Sequence, residues 1–355
     1  MRRRQHGWQG VELISPILNA DGDGFYEVLQ VVEFLRNNFW IDTPEKAGFH
    51  IHVGNGKASF ERYSLRRIAS LLYLADPVLA QSHPKHRRWG NMWAPSNRAF
   101  SRVSFGMKAR HTQYRPPDPN ETDDTPPRQP WWSRWSNPPG TYGERRDWAV
   151  ERAARADEFP PRPNSPVYPS EVRQLSAAVQ FSMLRDRDEY GITHDPADLR
   201  PRVSMQDAVD ELIASPTRDI LAQLLSVTTL PPGMYRPAYN FDGYFNLGDR
   251  AKRTIEFRQQ AATIDAAAVI CYTCIALRLC EFAAIADFGL LMKIGADLAI
   301  AEDNAYYYDV YDFLLDIDLR PEADFLSRIA RGADKDVTGR EYLVEIGVTN
   351  PPPVT

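Results

Sequence analysis

Proline sets the first limit on how this chain can fold. Thirteen of its 28 prolines fall between residues 115 and 169, and each removes a backbone donor and fixes φ. No paired strand or long helix can run through such a stretch, and neither a helical nor a strand period is visible in it. Residues 106–165 are therefore expected to be a long irregular insertion, with one short helix near Arg145 to Asp157. Trp131, Trp132 and Trp135 make it more aromatic than a disordered tract normally is, so a lid stays open as a reading beside a surface loop. The ordered fold must come from the two flanks.

On the upstream flank, Gly10–Ser15 alternates like a short strand, and Tyr26 to Phe39 carries Leu29, Val32 and Leu35 at helical spacing. Phe49 to Val53 is a strand candidate between Gly48 and Gly54. Ser64 to Gln81 is a long amphipathic helix, with a kink expected at Asp76-Pro77. Downstream, helices are expected near Ser170–Arg185, Ser204–Ser215 and Arg218–Ser226. A β-rich stretch then runs from Tyr235 to Gln260, divided at Gly248-Asp249. Asp265 should cap a helix over Ala266–Ile285, and further helices are expected near Ala305–Asp316 and Glu322–Ala330. Helices clustered between widely separated strands predict an α+β fold with a largely antiparallel, curved sheet. Residues 1–105 and 166–335 would form one domain, and 336–355 a C-terminal tail.

Several functional classes are disfavoured at this level. A net charge of -5 argues against a dedicated nucleic-acid binder. Three cysteines make no disulfide framework and fit a reduced, intracellular chain, taken as cytoplasmic. Arg2, Arg3 and Arg4 resemble the start of a signal peptide, but no apolar run follows them. The most apolar stretch, Ala266 to Leu277, is too short to span a bilayer and is expected to be a buried helix. Neither a nucleic-acid nor a membrane partner is expected, and the oligomeric state is not legible. Cys271 and Cys274 have C-x-x-C spacing but sit among Ala, Val, Ile and Leu, so they are expected to be buried hydrophobes.

Three short motifs carry chemistry. In His50-Ile51-His52, strand alternation puts both imidazoles on one face, about 6.6 Å apart. Such a pair is a ligand pair or merely a structural one, and zinc would want a third ligand. In Thr254-Ile255-Glu256-Phe257-Arg258-Gln259-Gln260, alternation sets Glu256, Arg258 and Gln260 on one face and Ile255 and Phe257 on the other. This is either an exposed ion pair worth little or a carboxylate ligand beside a guanidinium that grips phosphate oxygens. Gly10-Val11-Glu12-Leu13-Ile14-Ser15-Pro16 offers another carboxylate on an apolar strand. Three strands presenting such groups from one face would suit Mg²⁺ or Mn²⁺ and a nucleotide triphosphate.

GVELISP, the GFHIHVG strand, the helix leading to His83–Asn91 and TIEFRQ followed by Thr263-Ile264-Asp265 together resemble the amidoligase family, within the glutamine-synthetase-like carboxylate–amine ligases. The resemblance implies a glutamine-synthetase-like catalytic domain. It also implies an ATP- and Mg²⁺-dependent reaction, with Mn²⁺ as a credible substitute, that joins a small-molecule or peptide carboxylate to an amine through an acyl phosphate. Position by position, Glu12, His52 and Glu256 would be metal ligands, and His50 or His52 would contact metal or phosphate. Arg258 would hold phosphate or the activated carboxylate, and Arg87 and Arg88 would contact phosphate or substrate.

Two departures qualify the resemblance. Family members usually open with an earlier G-x-E-x-E strand, which is not found before Glu12. The Q-H-E-G-T-L-D segment of the family reads Gln259-Gln260-Ala261-Ala262-Thr263-Ile264-Asp265 here. A second reading is therefore a degenerate member that binds nucleotide or protein without catalysis, and a third is a metal-dependent hydrolase built on His50 and His52.

Overall fold

The computed structural model describes residues 9–88, 93–109, 152, 154–161, 203–227, 236–244, 252–304, 306–332 and 337–348. The helix expected near Ser170–Arg185, the turn at Gly248-Asp249, Asn91, the tryptophans at 131, 132 and 135 and most of the insertion lie outside these residues.

The first helix, α1 (Gly22–Asn38), starts where the Asp21 carboxylate accepts from the Gly24 amide. Strand β1 (Gly48–Gly54) follows, then helix α2 (Arg62–Leu79), which is buried along most of its length and runs through Pro77 as one element. The short α3 (Asn97–Phe100) is capped by Ser96. Beyond the insertion come α4 (Met205–Ile213) and α5 (Arg218–Leu225), capped by Ser204 and Thr217. Strands β2 (Tyr239–Asn240) and β3 (Thr254–Ala261) are followed by the long α6 (Ala266–Ile285). Asp265 caps α6 by accepting from the Ala267 and Ala268 amides, as its position just before the apolar run predicts.

The chain then forms α7 (Phe288–Asp303), α8 (Val310–Asp316), α9 (Arg320–Ala330) and α10 (Gly339–Glu345). Neither α7 nor α10 was expected. Two glycines lower the helix propensity of α7, and its placement explains one of them: a Cβ on Gly295 would lie 3.1 Å from Leu74 of α2. Helix α10 falls in the stretch assigned to the tail. A reciprocal cap between Thr338 and Glu341 starts it, and Tyr342 and Leu343 are buried in the core.

The strands form an antiparallel three-stranded sheet in the order β1-β3-β2. Ile51, Val53, Ile255, Phe257 and Tyr239 cover one face and join the core with α2 and α6. Helix α6 is long and apolar enough to cross a membrane, because it continues past Leu277 to Ile285. However, 83% of its most apolar window is buried within the fold. Arg278 and Glu281 pair inside it, both wholly buried. Cys271, Cys274 and Cys280 are buried along this helix and are not joined in disulfides.

The α+β arrangement with an antiparallel sheet stands, but the strand expected at Gly10–Ser15 does not form. Residues 9–19 have no regular structure, and Val11, Leu13 and Ile14 are exposed. An alternating pattern makes a strand only when it pairs with another, and among the described residues this segment pairs with none. Parts of the insertion, by contrast, are packed. Phe159 is buried, and Arg152 donates to Asp309 at 2.6 Å.

A polar network locks α2 to α3 and α7. Asp76 accepts from the Ser96 hydroxyl and the Arg98 amide. Arg98 in turn makes a two-pronged pair with Glu302 and donates to the Tyr73 hydroxyl. Burial pushes the Asp76 carboxyl up from 3.8 to about 6 despite those hydrogen bonds. A carboxyl raised on folding contributes stability that is complete below its unfolded value and is lost as pH rises through about 6. Asp76→Asn should remove that loss, which is ~3 kcal/mol for a shift of this size. Urea unfolding at pH 4 and pH 7 should show the variant gaining on the wild type at the higher pH; an unchanged difference would refute the assignment.

Candidate functional site

Strand β3 is buried on both faces, so its polar residues must be satisfied by neighbours rather than by water. Its register places Glu256 directly across from His52 on one side and from Asn240 on the other. The carboxylate of Glu256 is 6% exposed and accepts from Arg258 through Oε1 and from Asn240 Nδ2 at 2.8 Å through Oε2. His50 Nδ1 lies 3.5 Å and His52 Nε2 3.7 Å from Oε1, and Arg236 Nη1 lies 3.7 Å from Oε2. Both imidazoles are about one-third exposed, so they form a rim over a buried carboxylate. His52 Nδ1 is set by the Thr254 hydroxyl at 3.1 Å.

The electrostatics follow from this packing. Burial alone would raise the Glu256 carboxyl. The Asn240 hydrogen bond and the Arg258 charge outweigh it and hold the group below the usual carboxylate range. Burial lowers both imidazoles. Arg258 lowers His50 further, and the Glu256 charge partly restores both. They are therefore neutral at pH 7, each with one N–H to donate and one nitrogen to accept a proton.

Alternation holds for Glu256 and Arg258 but breaks just after them. Between Phe49 and Ile51 the ladder slips, so that β3 carries one more residue than β1 and Gln260 sits across from Phe49. The face shared by Glu256 and Gln260 in a regular strand does not survive this bulge. Behind it, the buried Arg87 clamps the two strands by donating to the carbonyls of Ala47 and Gln260. Gly48 permits this clamp, because a Cβ there would lie 2.2 Å from the guanidinium. The charge of Arg87 falls on His50. Arg88 instead donates to the carbonyls of His83 and Gln81. Glu12 lies in the exposed segment before α1 and is not in the sheet.

Asn240, Arg236 and Asp242 belong to the site and were not singled out from the sequence. Arg236 is 3.7 Å from Asp242 as well as from Glu256. The available signal was Tyr239-Asn240 within a β-rich stretch, but which residue it faced depended on register. Register at β2 is fixed from outside the sheet. The Asn97 side chain accepts from the Tyr239 amide and donates to the carbonyls of Tyr239 and Leu225. The Asp76 network thus holds α3, Asn97 holds β2, and Asn240 of β2 holds Glu256.

As a metal seat the donor set is poor. A hard divalent cation asks for several oxygen ligands. Here Glu256 is already engaged by Arg258 and Asn240, and its other neighbours are nitrogen ligands or cations. Among the described residues, no group of three His, Cys, Asp or Glu side chains is placed to hold a metal ion.

The comparisons bear on this site in part. Residues 3–116 match the family model described as putative amidoligase enzyme. This is the family that the strand motifs resemble, and the match supports a ligase-like function. The matched segment contains Glu12, His50, His52, Arg87 and Arg88, whereas Glu256 and Arg258 lie beyond it. No curated protein and no solved structure matches the chain.

If Glu256 is the group that sustains the two imidazoles, Glu256→Gln should lower both histidine pKa values further below 6.5. Proton NMR titration of the C2–H signals would measure this. Unmoved or raised values would mean that the carboxylate does not act on the histidines.

Proposed function

We propose that this chain is a carboxylate–amine ligase with a glutamine-synthetase-like catalytic domain, using ATP to activate the acid. The observation that carries the reading is the Glu256–Arg258 pair under the rim of His50 and His52, in a chain whose first third matches an amidoligase family model. A carboxylate resists attack by an amine. Transfer of the γ-phosphoryl group to one carboxylate oxygen would give an acyl phosphate and ADP. Attack of the amine on the acyl carbon then forms the amide bond and expels inorganic phosphate.

Each residue has a task its environment suits. Arg258, held in place by Glu256, would neutralise charge on the transferring phosphoryl group or the acyl phosphate. The neutral imidazoles of His50 and His52 can donate to a phosphate oxygen or take the proton released by the attacking amine. With its low pKa, Glu256 would orient Arg258 rather than serve as a base. Mg²⁺ or Mn²⁺ would neutralise the β- and γ-phosphates of ATP. Because the described residues give such an ion little to bind, no step is assigned to it. Substrates would be small-molecule or peptide acids and amines, and an intracellular, cytoplasmic setting would supply ATP.

A second reading, a degenerate member that binds nucleotide without turnover, draws on the same shortage of carboxylates. Phosphate release from ATP separates the two. In the ligase, release should require both a carboxylate and an amine from an amino-acid and peptide panel, and Arg258→Gln should slow it by roughly 100-fold. ATP binding without any phosphate release across the panel would favour the degenerate reading.

A further inference from the structure

The sheet has two outer edges, and the fold treats them differently. Strand β3 lies between β1 and β2, so each of these turns one row of backbone groups away from the sheet. The direction of those rows follows from one bond. The Arg258 amide donates to the carbonyl of Ala238, just before β2. Arg258 and Glu256 therefore turn their backbone groups to β2, and Phe257 and Ile255 turn theirs to β1. Across the ladder, Phe257 faces Tyr239 on one side and Ile51 on the other, and Ile255 faces Val53. Ile51 and Val53 thus bond inward to β3. Tyr239 points its amide and carbonyl out of one edge, and His52 and Gly54 point theirs out of the other.

The β2 edge is closed. The buried Asn97 accepts from the Tyr239 amide at 2.9 Å and donates to its carbonyl at 3.0 Å, so a side chain stands where a fourth strand would pair. The β1 edge is bare: among the described residues, no backbone group bonds to the outward N–H and C=O of His52 and Gly54. Proteins commonly blunt such an edge with proline, lysine or another charge. Gly48–Gly54 contains no proline and no Lys, Arg, Asp or Glu, and its bulge at Phe49–Ile51 leaves Ile51–Gly54 in regular register. The bare groups also adjoin the site. His52 Nε2 lies 3.7 Å from Glu256, so a strand laid about 4.8 Å from β1 would run along the imidazole rim. Its alternate side chains would share the face of His50 and His52. An N–H and a C=O turned outward from one residue are what an extended peptide main chain pairs with, residue for residue.

We infer that the bare edge of β1 is a peptide-docking surface, where an extended peptide adds as a fourth strand in the order peptide-β1-β3-β2 and carries a carboxyl or amine group to the rim. The docking needs the open edge alone. That the docked peptide is a substrate rests on the ligase reading, which it narrows from small molecules to peptides.

Solvent-exchange NMR of the amides in the full, isotope-labelled chain tests this without turnover. In the free chain the Ile51 and Val53 amides should be protected, and those of His52 and Gly54 should exchange freely. The probes are three acetylated and amidated pentapeptides that alternate threonine with valine, lysine or glutamate. Saturation with at least one of them should slow exchange at His52 and Gly54 by roughly 10-fold or more and leave Ile51 and Val53 unchanged. N-methylation of two adjacent central residues of that peptide blocks a donor on each of its edges and should abolish the effect. No protection by any of the three, or protection that survives N-methylation, would overturn the inference. So would His52 and Gly54 amides already protected in the free chain. Contacts to residues 10–15 would then identify the chain's own segment as the occupant, and protection that grows with protein concentration would identify a second copy. Protection without acid- and amine-dependent phosphate release would leave the docking standing and refute the ligase reading. Such release without any protection would do the reverse.

Discussion

The structure turns on one buried negative charge. Glu256 sits on the central strand of a small sheet, where an ionised carboxylate is costly unless it is paired and hydrogen-bonded. Arg258, two positions along the same strand, and Asn240, across the ladder, provide that compensation. Because the pair is held by backbone registers on both sides, its geometry is set before any ligand arrives. Such preorganisation is what a charge-stabilising site requires.

The support for that geometry reaches far from the site. Asp76 and Arg98 join α2, α3 and α7, and they place Asn97 where it can bond both backbone groups of Tyr239. Strand β2 is only two residues long and has little cohesion of its own, so a side chain fixes its register. On the other edge Arg87 ties the start of β1 to the end of β3, past a bulge that frees Gln260 from strict alternation. Apolar packing of α2 and α6 beneath the sheet supplies the bulk of the fold, while these polar clamps decide where its functional groups point.

Much of this was legible because it is local. The cap at Asp265, the alternation in GFHIHVG and the spacing of Glu256 and Arg258 each depend on residues a few positions apart. The misses share a different origin. GVELIS carries a strand pattern, but a strand needs a partner edge, and no short-range pattern reports one. Helix α7 was hidden by two glycines, and the purpose of one, the close approach of Gly295 to α2, is visible only when α2 is beside it. Arg88 and Arg87 are adjacent and chemically alike. One turns to the carbonyls of Gln81 and His83, the other to the sheet, because a short helical turn at Lys85–Arg87 separates their directions.

The sequence by itself determined the α+β class, the two imidazoles on one face of β1 and the Glu256–Arg258 pair on β3. All of these follow from local periodicity. Only the tertiary structure decided that Glu256 lies buried between His52 and Asn240, that Arg236 comes beside it and Arg87 beside His50, and that Glu12 is left outside. Those outcomes depend on strand register and on contacts between residues from 16 to some two hundred positions apart, which no local pattern encodes.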